Sequence, residues 1–188
     1  VAGSAVFNGI HVRYLNGSAN TDISRNQIAT DDHATGGRGI WLNYQTNGAT
    51  TTTVNDNIIS DYTDTDVFAY GLIAAVNQGT KHDFFITNNK IGPNQFNVRV
   101  DVTNGAAANM QITQNHFADS AGTSGDLLIY SEDAGSDLSL QIFGNTAHKP
   151  FDFTTHAGGI IRIQDLPDLS ANNNGVTVNT TGNVVNAP

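Results

Sequence analysis

The chain has no cysteine, one methionine, one tryptophan and four prolines in 188 residues. Without thiols there are no disulfide staples, no thiolate metal sites and no cysteine nucleophile. Positive charge is also scarce. Eight basic side chains, of which only Lys81, Lys90 and Lys149 are lysines, face seventeen acidic ones, for a net charge of −9. That balance argues against nucleic-acid backbones and anionic membrane surfaces as partners. No apolar run approaches the ~18 residues needed to span a bilayer. HExxH, EF-hand and Gly-x-Ser-x-Gly signatures are missing too. Charged residues make up 13% of the chain, so solubility rests on Asn, Thr, Ser, Gln and Gly. Such a surface is commoner outside cells, and a secreted or cell-surface location is the expectation. The opening at Val1 lacks a Met and any leader-like pattern. The expectation is therefore one domain over 1–188, cut from a longer chain.

What the chain does have is a repeat. An apolar residue, two residues, Asn, one residue and a usually apolar residue recur five times. The copies are Ile23 to Ile28 around Asn26, Val54 to Ile59 around Asn57, and Ile86 to Ile91 around Asn89. Ile112 to Phe117 around Asn115 and Ile142 to Ala147 around Asn145 complete the set, with a degraded copy proposed at Val178 to Val185 around Asn183. Successive asparagines of the five lie 31, 32, 26 and 30 residues apart. A short alternating strand keeps the same step: Gly9–Arg13, Gly39–Asn43, Gly71–Ala75, Asn97–Asp101 and Asp126–Tyr130. Two motifs that step together through 26- to 32-residue intervals define a true repeat.

Each unit offers period-two strands and no helical periodicity. Alone it cannot bury its apolar face, so the units must stack. Stacking predicts one inward column of Ile10, Ile40, Leu72, Val98 and Leu127, and a second of Val12, Leu42, Ala74, Val100 and Ile129. The predicted fold is all-β: a single-stranded right-handed parallel β-helix of about six coils. Handedness follows the general preference of parallel crossovers. The asparagines are expected at a corner, where Asn tolerates the left-handed bend and stacked amides form a ladder. Residues 1–147 read as regular coils and 148–188 as less regular terminal coils that cap the stack.

The Gly-Ile-x-Val and Ile-x-x-Asn-x-Ile doublet resembles the parallel β-helix repeat of pectate-lyase-like proteins, a repeat found also in bacterial adhesins, autotransporter passengers and phage tailspikes. The closing stretch from Ile161 to Asn179 resembles the last coils of β-helix modules in very large bacterial surface proteins. The resemblance implies that the outward side of the first strand forms a carbohydrate groove. It implies for the enzymes of the family calcium-binding acids on adjacent coils beside an Arg or Lys.

By alternation the outward positions are His11, Arg13, Trp41, Asn43, Ile73, Ala75, Arg99, Asp101, Leu128 and Tyr130. Trp41, flanked by His11, Arg13 and Asn43, is a candidate sugar platform, or else the centre of a covered cluster with Ile73 and Leu128. Arg99 and Asp101 extend the candidate carbohydrate site or form a surface ion pair. Only one carboxylate stands among these positions, whereas glycoside hydrolysis needs two, so no catalytic residue is assigned. Asp61, Asp64 and Asp66 are candidate oxygen ligands for Ca²⁺, or ordinary solvated acids, and the neighbouring loop before β-repeat two adds Asp31, Asp32 and His33. No other cofactor is expected.

Two functions stay open. One is a structural or adhesive module of a secreted or cell-surface bacterial protein, with a host or cell-surface glycan as partner and self-association through open strand edges. The other is a polysaccharide-binding or polysaccharide-cleaving β-helix of lyase or hydrolase type.

Overall fold

The computed structural model describes residues 7–29, 37–62, 69–79, 81–120 and 125–187. The first coil holds β1 (Phe7–Tyr14), β2 (Ala19–Ser24) and β3 (Gln27–Ala29). The second holds β4 (Gly37–Gln45), β5 (Thr50–Asn55) and β6 (Ile58–Ser60), and the third β7 (Ala69–Gln78), β8 (His82–Thr87) and β9 (Lys90–Ile91). The fourth holds β10 (Phe96–Val102), β11 (Ala107–Thr113) and β12 (His116–Phe117). Then come β13 (Leu127–Glu132), β14 (Asp137–Phe143), β15 (Phe151–His156) and β16 (Ile160–Gln164). Two 3-10 turns (Leu166–Asp168 and Ala171–Asn173) precede β17 (Val178–Thr181) and β18 (Val184–Ala187).

Every strand pairs in parallel with its counterpart one coil away. The first face runs β1-β4-β7-β10-β13-β15-β17, the second β2-β5-β8-β11-β14-β16-β18, and the third β3-β6-β9-β12. The solenoid is right-handed and makes about five turns. The closing levels lose their third strand, which survives as an isolated bridge at Thr146 and then gives way to the 3-10 turns.

Both predicted apolar columns form in register. Ile10 pairs Ile40, then Leu72, Val98 and Leu127, and Phe151 continues the file. Val12, Leu42, Ala74, Val100 and Ile129 run beside it to Phe153. From Ile40 and Leu42 onward these side chains are at most 1% exposed. Burial of each larger one contributes about 1.5–3 kcal/mol. The second face supplies Ile23, Val54, Ile86, Ile112 and Ile142 as a third inward file.

The asparagine ladder forms as predicted, with two corrections. Asn26, Asn57, Asn89 and Asn115 each donate Nδ2–H and backbone N–H to the Oδ1 of the next asparagine, at 2.9–3.0 Å. From Asn57 on, Nδ2 also donates to a carbonyl of the preceding coil: Ile23, Val54, Ile86 and Ile112 in turn. The sixth rung is Asn173, whose Oδ1 accepts from Asn145 Nδ2 at 2.8 Å and from its N–H at 3.1 Å. Asn183 is not a rung; its N–H donates to Thr155 Oγ1. The second correction concerns the bend. The left-handed residue is the one before each ladder asparagine: Arg25, Asp56, Asn88, Gln114 and Gly144, with φ of 55–69°. The bend and the ladder are thus divided between neighbours. The preceding residue takes the unfavourable backbone, at about 1–2 kcal/mol for a residue with a Cβ, and the asparagine supplies the amide.

A second polar file stands where the third face turns into the first. Gly9, Gly39 and Gly71 are the third residues of β1, β4 and β7, and a Cβ at Gly39 would lie 2.3 Å from Ile59 Cγ2 and 2.5 Å from the Gly71 carbonyl. In the next coils the same position carries Asn97 and Asp126. Asn94 Nδ2 donates to Asn97 Oδ1 at 3.2 Å, and Asn97 Nδ2 donates to Asp126 Oδ1 at 2.8 Å. The backbone N–H groups of His148 and Lys149 donate to Asp126 Oδ2 at 2.9 and 2.8 Å. Burial pushes the Asp126 carboxyl above its usual pKa, and these donors pull the other way.

Candidate functional site

The outer side of the first face gathers the aromatic and cationic side chains. Strand register places His11, Trp41, Ile73, Arg99, Leu128 and Asp152 in one outward file. Arg13, Asn43, Ala75, Asp101, Tyr130 and Thr154 form the next. A third file, Asn8, Arg38, Tyr70 and Phe96, joins them from the start of the strands. Alternation alone would give Arg38 and Tyr70 the parity of the core. The pairing skips Gly9, Gly39 and Gly71, and the break at those glycines shifts the phase of the strand.

Two clusters result. In the first, the His11 imidazole stacks on Trp41 with centroids 4.0 Å apart and planes 5° from parallel. The Arg38 guanidinium lies 4.3 Å from the Trp41 ring centroid. Partial burial, then the charges of Arg13 and Arg38, hold His11 below its usual pKa. Asn43 is buried and its Oδ1 accepts from Asn77 Nδ2 at 3.3 Å, which ties it to the neighbouring coil.

The second cluster is centred on Arg99. Its Nε donates to both oxygens of Asp101 at 2.9 and 3.0 Å, and its guanidinium stands 4.8 Å from the Tyr130 ring centroid. A further N–H donates to the Tyr70 hydroxyl at 3.2 Å, and Tyr70 stacks on Phe96 at 5.1 Å. Burial works against the Arg99 charge, yet Asp101 and Tyr70 together hold its pKa above the usual arginine value. Asp101 is therefore engaged in an ion pair through one N–H shared between its two oxygens. Asp152, in the file of Arg99, accepts from Asn179 Nδ2 at 2.7 Å and from the Gly125 N–H at 3.1 Å.

The predicted carbohydrate residues thus do not form one continuous group. His11, Arg13, Trp41 and Asn43 are separated from Arg99 and Asp101 by Ile73 and Ala75, and Ile73 and Leu128 are buried within the outward file. Arg38, Tyr70 and Phe96 join the site unannounced by the alternation. Of the three candidate calcium ligands, Asp64 and Asp66 lie outside the described residues, as do Asp31, Asp32 and His33. Asp61 accepts from the Ser60 hydroxyl at 2.6 Å, and its N–H donates to the Pro93 carbonyl. Among the described residues no group of three His, Asp or Glu side chains could hold a metal, and no helix is long and apolar enough to cross a membrane.

The second face carries an open depression of about 560 Å³, lined by Ser18, Asn20, Thr51, Lys81, Asp83 and Asn109 among others. It has no aromatic wall, and Asp83 already accepts from Asn109 Nδ2 at 2.9 Å. The first face is the stronger candidate because rings and guanidinium groups meet there. Compared with known families, curated proteins and solved structures, the chain matches none. The structure establishes a parallel β-solenoid, and the resemblance to pectate-lyase-like proteins does not establish membership of that family.

Proposed function

We propose that this chain is a structural and adhesive solenoid module of a secreted or cell-surface protein, and that the outer side of its first face holds a glycan. The observation that carries this reading is the segregation of Trp41, Phe96 and Tyr130, with Arg38 and Arg99 against Trp41 and Tyr130 and the buried Tyr70 ring packed on Phe96, on one side of one sheet. Aromatic faces and edges beside fixed hydrogen-bond donors suit the alternating apolar and hydroxyl surfaces of a sugar. Trp41 and Tyr130 lie three coils apart, which at about 4.8 Å per strand is roughly 14 Å. That span suits an extended oligosaccharide lying along the solenoid axis. Asp101 and Asp152 on this side are held by Arg99 and by Asn179, which favours holding a glycan over cutting one.

The test is a glycan array probed with the intact chain, followed by Tyr130→Ala and Trp41→Ala. An aromatic contact of this kind contributes about 0.5–1.5 kcal/mol beyond its buried area, so each variant is expected to weaken binding roughly tenfold with little change in melting. Failure of the intact chain to bind any glycan removes the proposal.

A further inference from the structure

At its far end the second face stops short. β16 pairs with β14 as far as Ile163 with Leu140, whereas β11 accompanies β14 on the other side to Thr113 with Phe143. The cause is an early bend. Gly144 makes its left-handed turn four residues after Leu140, but Asp165 makes its own two residues after Ile163. Asp165 sends the chain into the 3-10 turn at Leu166–Asp168. Further on, the Asn172 carbonyl returns to accept from the Gly144 N–H at 2.7 Å. A notch of about 270 Å³ is left between the two levels, lined by Gln141, Ile142, Phe143, Gln164, Asp165 and Asn172. Phe143 is 44% exposed there. A second depression of about 210 Å³ adjoins the notch and shares Gln141 and Gln164 with it, and Gln111, Ser139 and Arg162 are among its other walls.

We infer that this groove on the second face binds two adjoining sugar rings of an uncharged glycan, independently of the first-face site. Each half is smaller than the roughly 300–1,000 Å³ that encloses a drug-sized ligand, which suits one ring per half. The face of Phe143 suits the C–H side of a pyranose. The Gln141, Gln164 and Asn172 amides each carry two N–H donors and a carbonyl acceptor, and the Asp165 carboxylate accepts. That mixture matches neighbouring hydroxyls, which donate and accept in turn. Anions are disfavoured, because Asp165 stands in the notch and Arg162 is held by Asp137 through three hydrogen bonds at 3.0–3.1 Å. A peptide strand is disfavoured as well. The Ile142 carbonyl already accepts from Asn173 Nδ2 at 3.1 Å, and the Gly144 N–H is taken by Asn172.

The isotope-labelled intact chain is titrated with cellobiose, maltose, mannobiose, galactobiose, xylobiose, diacetylchitobiose and the anionic digalacturonate, and followed by amide NMR. At least one neutral disaccharide is expected to shift the side-chain amides of Gln141 and Gln164 and the backbone of Phe143. Its affinity should exceed that of digalacturonate by about tenfold, which corresponds to about 1.4 kcal/mol. Phe143→Ala is expected to weaken binding about tenfold, and Phe143→Tyr, which keeps the ring, to restore it. Gln164→Ala, at an exposed position, should weaken binding with unchanged melting, while Lys81→Gln in the separate depression of this face leaves it intact. Full binding by both Phe143→Ala and Gln164→Ala overturns the inference, as does equal binding of digalacturonate. Shifts confined to Trp41 and Tyr130 assign the sugar to the first face and overturn it too, as does the absence of any shift at Gln141 and Gln164. Shifts at the groove with none on the first face uphold this site and count against the first-face proposal alone.

Discussion

Asn89→Ala tests the ladder where its geometry is most complete. The Asn89 side chain is buried, 1% exposed. Its Oδ1 accepts from Asn57 N–H and Nδ2 at 3.0 and 2.9 Å, and its Nδ2 donates to Val54 and Thr87 carbonyls and to Asn115 Oδ1 at 2.8–3.0 Å. Truncation leaves the Asn57 N–H without this acceptor and the Val54 carbonyl without this donor, while Asn115 Oδ1 keeps the backbone N–H of residue 89. Two buried groups orphaned at about 1–3 kcal/mol each give a loss of roughly 2–6 kcal/mol. Asn26 offers the contrast. It is half-buried, its Nδ2 donates to Ser24 and to Asn57, and its Oδ1 accepts nothing among the described residues. Asn26→Ala should therefore cost about 0.5–1.5 kcal/mol, one ordinary hydrogen bond. Urea unfolding followed by far-UV circular dichroism compares the two at common slope. In thermal melts, each kcal/mol is expected to move the midpoint about 2–4 °C in a chain of this size. Equal losses at the two positions, within about 0.5 kcal/mol, would refute the argument that the ladder stabilises through satisfied burial.

Asp126→Ala leaves the N–H groups of His148 and Lys149 without their acceptor, and a loss of about 2–5 kcal/mol is expected; a urea midpoint within error of the parent would show that the second polar file does not hold the corner. His11 is expected to titrate below 6.5 by NMR, because burial and the Arg13 and Arg38 charges disfavour its cation. Its folded pKa is the lower one, so any stability it contributes is complete above 6.5 and is lost as pH falls through the folded value. Arg38→Gln should move the midpoint upward, and an unmoved midpoint would separate Arg38 from the imidazole.

The apolar files were legible because period-two strands recur at a nearly constant step, and only stacking gives that pattern a buried side. Ile40 over Ile10 and Val98 over Leu72 follow directly. Asn173 was not legible. Its neighbours Ala171, Asn172, Asn174 and Gly175 are polar or small, because 3-10 turns replace the strand that elsewhere provides apolar flanks. Arg38 escaped for a different reason: parity counting assumes unbroken pleating, and the skipped pairing at Gly39 invalidates it. Asp126 reads as the first residue of a strand, and only the approach of the His148–Lys149 backbone from a later coil makes it a buried acceptor. Long-range backbone donors leave no local trace in the chain. The site was half legible on the same grounds. His11, Trp41 and Arg99 follow from alternation, while their division by Ile73 depends on which coil lies between.

The ladder also has a direction. At every internal rung the backbone N–H and one amide proton point toward the next asparagine, the amide also donates to a carbonyl of the preceding coil, and the Oδ1 lone pairs face the previous asparagine. The final rung, Asn173, spends its Nδ2 protons on the Leu169 and Ile142 carbonyls and its N–H on Ser170, so that terminus is quenched. Among the described residues, none donates to the Asn26 carbonyl oxygen. A designer who wishes to lengthen the rod should therefore graft repeats ahead of β1, where an incoming amide meets a waiting acceptor, and should leave the far terminus alone.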